Sequence, residues 1–145
     1  MKANGFDIIA QDCPQEMAQL KRLMQLASDV FLKNIGVDDA TILQRDRANI
    51  HIWATAHEHC TTHSPHCHAG ELVSGVYYVT LPKESGSISF DDPRGPLPPF
   101  DNREVIHPSE GQMILFPSWL MHAVSPTSGR CFFLSPPTSF DCYCS

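Results

Sequence analysis

The sequence predicts a mainly β fold, a jelly roll or small barrel braced by one N-terminal helix. Three observations carry that expectation. One amphipathic stretch, residues 14–35, precedes everything else. After Asp46 the chain becomes a series of short segments rich in β-branched and aromatic residues. Most of the 12 prolines and 8 glycines fall between those segments or at their edges, where turns belong. Many short strands after one helix indicate a sheet sandwich or barrel with the helix packed on it. At 145 residues the chain is expected to be a single domain over 1–145, with the helix at about 14–35 and the barrel at about 47–137.

The helix has both its ends and one face written in the sequence. Met17, Leu20, Met24, Ala27 and Phe31 recur at spacings of three and four, and Leu23 and Val30 widen the stripe. Cys13 stands at the N-cap position, Pro14 at the first helical residue, Glu16 in the first turn and Gly36 just past the end. The stripe is expected to pack on a sheet. Strands are expected at Ile50–Thr55, Leu72–Leu81, Ser87–Phe90, Glu104–His107, Gln112–Phe116, Ala123–Ser125 and Arg130–Ser135. The stretch Asp91–Arg103 (DDPRGPLPPFDNR) is too rich in proline for a strand and reads as a long loop, of the kind that often lines a binding site.

Composition narrows the function. With 42% apolar residues the chain can bury a core. A net charge of −6 and a pI near 5.7 argue against nucleic acid or an anionic membrane as partner. No apolar run approaches the length of a membrane-spanning helix, and MKANGFDIIAQDC is too polar for the core of a signal peptide. A soluble, cytoplasmic protein is expected. Cys13, Cys60, Cys67, Cys131, Cys142 and Cys144 are spaced too irregularly for a disulfide framework, so reduced thiols are the default. A structural zinc site using Cys60, His63 and Cys67 would lack the usual paired CxxC knuckles.

The chemistry-bearing residues are histidines. Of eight, five lie between His57 and His68. His51, His57, His59 and His107 read as surface or hydrogen-bonded residues, and His63 is a secondary candidate. His66 and His68 stand two apart in PHCHAGELVSGVYYV. On an extended segment that spacing sends both imidazoles to one face, with Cys67 turned the other way as a small buried residue. His122 follows GQMILFPSWLM, just past a strand, where ligands from separate strands converge at a barrel rim. Three such histidines form a candidate mononuclear metal site. Arg130, eight residues beyond His122, stands where an anionic co-substrate could be held.

The ordered set HCH, SGVYYV, DPR and FPSWLMH, followed by Arg130, resembles the iron(II)/2-oxoglutarate-dependent oxygenases over about Ile50 to Ser135. It is closest to a branch of small oxygenases that carry H-x-H, SGVYY, DPR and FPSWLxH. The resemblance implies a double-stranded β-helix, a jelly roll or cupin-like barrel, with Fe(II), O2 and 2-oxoglutarate as co-substrate. It implies His66, His68 and His122 as metal ligands. Arg130 would pair with the distal carboxylate of 2-oxoglutarate and Tyr78 would assist that contact, while Tyr77 reads as one half of an in-and-out strand pair. The implied reaction oxidises a small-molecule or peptide substrate, and a homodimer is a candidate state. Arg94 belongs to the same pattern, or forms an ion pair with Asp91 or Asp92. Trp119 is either core or part of the substrate-side wall with the Asp91–Arg103 loop.

One position departs from the pattern. The common triad is two histidines and a carboxylate, and here the carboxylate position is His68. Either the site is a true three-histidine site or Glu71 supplies the acid. The sequence HCHAGE also resembles the first cupin motif, with Glu71 one position early, and GQMILFPSWLMH resembles the second. A three-histidine iron dioxygenase of the cupin type, which does not use 2-oxoglutarate, is the first alternative. A non-catalytic metal-binding β-barrel is the second.

Overall fold

A computed structural model of the chain describes residues 4–7, 15–44, 52–57, 60–83, 85–127 and 131–135. Among these residues the order is β1 (Asn4–Asp7), α1 (Gln15–Asn34), α2 (Asp39–Gln44), β2 (Trp53–His57), β3 (His63–His66), β4 (Val73–Thr80), β5 (Ile88–Asp91), β6 (Arg103–Ile106), β7 (Met113–Pro117), β8 (His122–Val124) and β9 (Cys131–Ser135). The strands form two antiparallel sheets. One runs β1-β2-β9-β4-β7, the other β3-β8-β5-β6. No described helix is long and apolar enough to cross a membrane.

The side chains of β4 and β7 show how the layers pack. Val76 and Tyr78 of β4 and Ile114 and Phe116 of β7 meet Ile88 and Phe90 of β5, closing a core between the two sheets. The alternate residues of the same strands face outward and are covered by helix. Tyr77 and Met113 pack with Met17, Leu20 and Met24 of α1, while Val73 and Leu115 pack with Phe31 and Leu32 of α1 and Ile42 of α2. Both faces of β4 are therefore occupied from Val73 to Tyr78, which explains the apolar run there, while Val79 beyond it is exposed. An alternating strand would have left one face for water.

Helix α1 ends at a left-handed glycine. Gly36 has φ of 90°, its N–H bonds to the Lys33 carbonyl, and the Val37 N–H reaches back to the Leu32 carbonyl at 2.9 Å. This is a Schellman closure, completed by packing of Val37 in the Leu32 cluster. Asp38 then caps α2, accepting from the Thr41 N–H and hydroxyl at 2.9 and 2.7 Å. Those two bonds hold its carboxyl below the usual range.

Several expectations change. The helix stripe was expected to include Leu23 and Val30, but both are exposed, at 54% and 58%, while Met24 and Leu32 carry the buried contact. The elements β1, β3 and α2 were not expected. Segments NGFD and HSPH hold few β-forming residues and become strands through their partners, β2 and β8. Pro65 is tolerated in β3 because that strand is an edge of its sheet. Cys67 is exposed rather than buried, because the chain has left β3 at His66 and no longer alternates as a strand.

Candidate metal centre

Sheet register creates the site. In the β3–β8 ladder His66 lies directly opposite His122. Directly opposed residues project to the same side of the sheet, and the two rings stand 4.3 Å apart between centroids. His68 is not on the strand with His66, as its spacing had suggested. It sits in the turn beyond β3, and its backbone N–H bonds to the Ser118 carbonyl at 2.8 Å. That bond brings the His68 ring to 5.1 Å from His66 and 5.2 Å from His122. One ring nitrogen from each histidine lies within 4.8 Å of the other two, and among the described residues this is the group that could hold a metal ion.

The turn between β7 and β8 serves two of the three histidines. Its Ser118 carbonyl takes the His68 N–H, and its Leu120 carbonyl lies 3.0 Å from His122 Nδ1. Ser118 is fully buried, and its hydroxyl meets that of Ser74 on β4 at 2.8 Å. Sequence reading missed these supports. The only trace of them is the serine in FPSWLMH, which nothing marked as buried.

The ring nitrogens are already prepared for a cation. His66 Nδ1 is 2.7 Å from the Ser64 carbonyl, as His122 Nδ1 is from that of Leu120 at 3.0 Å. A carbonyl oxygen only accepts, so Nδ1 carries a proton in both rings, and in the neutral ring that leaves Nε2 as the nitrogen with the lone pair. This is the orientation that metal-binding histidines adopt. Burial, reinforced by His66 and His63, pushes His68 down to about 4. Burial likewise brings His122 to about 4, against an opposing pull from the Leu120 carbonyl. Both rings are neutral at pH 7. Bonds of about 2.1 Å to one ion require the donors to stand about 3–3.5 Å apart, a small closing motion from the present spacing. The donor set fits a divalent transition metal.

Beneath His122 the wall is aromatic. Phe116 stands 4.6 Å and Phe90 6.2 Å from its ring, with Phe90 and Phe116 edge-on to each other at 5.0 Å. Tyr78 is 4% exposed in the same core cluster. His63 lies 5.9 Å from His66 but outside the group of three, and its ring is also depressed by burial and by His66. Glu71, in the connection to β4, is outside that group too. His107 is exposed. Arg130, His51 and His59 lie outside the described residues.

The DPR segment is an ion pair. Arg94 Nε and Nη2 bond the Asp92 carboxylate at 2.9 and 2.7 Å, its guanidinium lies 4.5 Å above the Phe100 ring, and Asp92 is held down at about 2 by these bonds. Asp91 pairs with Arg103 across the base of the same loop. Trp119 is 59% exposed, so it is not core, and Met121, Leu97 and Phe100 are exposed as well.

The fold is shared with solved oxygenases. A Pseudomonas putida prolyl-4-hydroxylase superposes with a TM-score of 0.65 at 14% identity, over 92% of this chain and 71% of that one. A 2OG-Fe(II) oxygenase family protein from Burkholderia pseudomallei gives 0.52 at 14% identity, over 60% and 41%. Bacillus subtilis oxalate decarboxylase gives 0.50 at 19%, over 64% and 22%. No curated protein matches the chain in sequence. The family model described as "Putative 2OG-Fe(II) oxygenase" matches residues 51–132, which hold the three histidines and strands β2 to β8. The chain therefore belongs to the 2OG-Fe(II) oxygenase family, the iron- and 2-oxoglutarate-dependent dioxygenases.

Proposed function

We propose that His66, His68 and His122 hold Fe(II), and that the chain hydroxylates a small-molecule or peptide substrate while 2-oxoglutarate becomes succinate and CO2. The observation that supports this most directly is the convergence of three imidazoles, two of them with Nδ1 tied to a carbonyl and Nε2 left free. The atoms balance: R–H, O2 and 2-oxoglutarate give R–OH, succinate and CO2. Bound iron supplies the oxidising chemistry. The protein's residues supply position, charge and exclusion of water.

Three neutral ligands on one face leave positions open for a chelating 2-oxo acid and for O2, and they neutralise none of the ion's charge. That charge favours an anionic co-substrate. Arg130, immediately before β9, is the partner for the distal carboxylate, with Tyr78 on the adjoining strand β4 assisting. Phe90, Phe116 and the buried face of β4 keep one side of the triad dry. The loop between β5 and β6 and the exposed Trp119 and Met121 form the substrate-side wall. One domain over 1–145 carries all of these parts.

Anaerobic reconstitution with Fe(II), followed by measurement of succinate and O2 uptake, tests the reading. Succinate formed from 2-oxoglutarate supports it. Oxygen uptake without succinate would favour a cupin-type dioxygenase. Tight metal binding with neither product would mark a binding protein.

A further inference from the structure

Helix α1 has a second face that none of the other described elements packs against. Leu23, Leu26 and Val30 are 54%, 62% and 58% exposed, on the side away from Met24, Ser28 and Leu32. Their spacings of three and four extend in both directions to Glu16, Gln19 and Lys33, and all six residues are exposed. In a heptad frame Glu16, Leu23 and Val30 hold one seam position, and Gln19, Leu26 and Lys33 the other. The seam is apolar at its centre and oppositely charged at its two ends.

We infer that this face is the interface between two copies of the chain, with the α1 helices paired antiparallel about a twofold axis. The charge pattern selects that occupant and that direction. In the antiparallel register that sets Leu23 against Leu26 of a second copy, Glu16 meets Lys33 at both ends and Val30 covers the stem of Gln19. The flanking Arg22 then faces Asp29 of the other copy, twice. A parallel pair would set Glu16 against Glu16 and Lys33 against Lys33. A twofold interface must be complementary to itself, and this face is so in one direction only. Among the described residues Lys33 pairs with the exposed Asp39, at 2.8 Å. Exchanging or sharing such a pair costs little.

The area places the interface in the small, reversible class. A 20-residue helix is about 30 Å long, so a helix-wide strip is smaller than the ~800 Å² per partner of a standard interface. Ile35 and Leu43, 48% and 72% exposed just beyond the helix, add to it without reaching the obligate range. A reversible dimer in the micromolar range follows. The helix covers the outer face of β4 and β7, so pairing leaves the histidine site free.

Sedimentation velocity on the whole chain from about 1 to 200 µM, a range that brackets micromolar Kd values, tests the inference. The expected result is a mass that rises with concentration from 16.2 kDa towards twice that. Leu26→Glu should keep the protein monomeric, with its helical circular dichroism and melting temperature unchanged. Arg22→Asp should weaken association about 10-fold, and Arg22→Asp combined with Asp29→Arg should restore it to within about 3-fold. A monomer at every concentration would overturn the inference. So would a dimer indifferent to Leu26→Glu, or a double reversal that fails to restore association.

Discussion

Removing one hydroxyl, that of Ser118, tests whether the β7–β8 turn organises the site. Ser118 is fully buried and Ser74 is 3% exposed, and their hydroxyls meet at 2.8 Å. Ser118→Ala strips the bond and leaves the Ser74 hydroxyl buried without that partner. Leaving a buried hydroxyl unsatisfied costs about 1–3 kcal/mol. For a chain of this length, each kcal/mol corresponds to roughly 3–4 °C, so the melting temperature should fall by about 3–12 °C. Ser74→Ala should cost about the same for the mirror reason. The double variant removes both groups and leaves no orphan. It should cost less than the two singles added together, by about 1 kcal/mol or more. Urea and thermal denaturation of the metal-free protein give all three values. Strict additivity, or a Ser118→Ala protein as stable as the parent, would refute the reasoning. A metal titration adds the functional arm. Because the Ser118 carbonyl holds the His68 N–H, loosening the turn should weaken metal binding several-fold, about 1 kcal/mol.

Four other outcomes are expected. His122→Ala should abolish stoichiometric metal binding, measured anaerobically, while the aromatic wall under it keeps the fold. His68→Asp should raise Fe(II) affinity and lower 2-oxoglutarate affinity, since the carboxylate takes over part of the charge that the co-substrate would otherwise neutralise; calorimetry on the anaerobic protein reads both. Arg130→Ala should weaken 2-oxoglutarate binding by about 2–5 kcal/mol through loss of a charge-assisted pair, leaving metal affinity unchanged in the same titration. Metal-free protein should lose stability as pH falls from about 6.5 towards 4. His68 and His122 are depressed to about 4 in the fold, so in that window the unfolded chain binds protons that the folded chain refuses. Above 6.5 both states are neutral there and the contribution is complete. A melting temperature that holds constant from pH 7 to 4.5 would contradict it.

The elements legible in the sequence are those whose side chains alone decide their state. Segments SGVYYV and QMILF declare β4 and β7 because both faces of each are buried. Gly36 declares the end of α1 because the closing turn needs positive φ. Strand β3 was illegible for the opposite reason. Its residues HSPH favour no strand, and pairing with β8 imposes one. Periodicity was misleading on α1. Two apolar stripes share the helix, and spacing alone merged Leu23 and Val30 with the stripe that packs on the sheet. Trp119 was undecidable because a tryptophan after a strand suits a core or a rim equally. The turn's hydrogen bonds spend its backbone on His68 and His122 and leave the indole outside.

The histidines were found by a spacing rule that does not describe how they meet. Two residues on one strand would share a face through alternation, yet His66 reaches the site through cross-strand register and His68 through a backbone bond to Ser118. The residue type survived because the chemistry is stricter than the geometry. A metal ligand must offer a nitrogen lone pair, and two features of the fold bear on this. Carbonyls of Ser64 and Leu120 select Nδ1 as the protonated nitrogen of His66 and His122, while burial with mutual repulsion keeps His68 and His122 neutral against the pull of the Leu120 carbonyl. A carboxylate at position 68 would have brought its own charge. Under the proposed function, an imidazole there would leave the site to obtain negative charge from what it binds, coupling metal binding to an anionic co-substrate more tightly than a two-histidine, one-carboxylate site would.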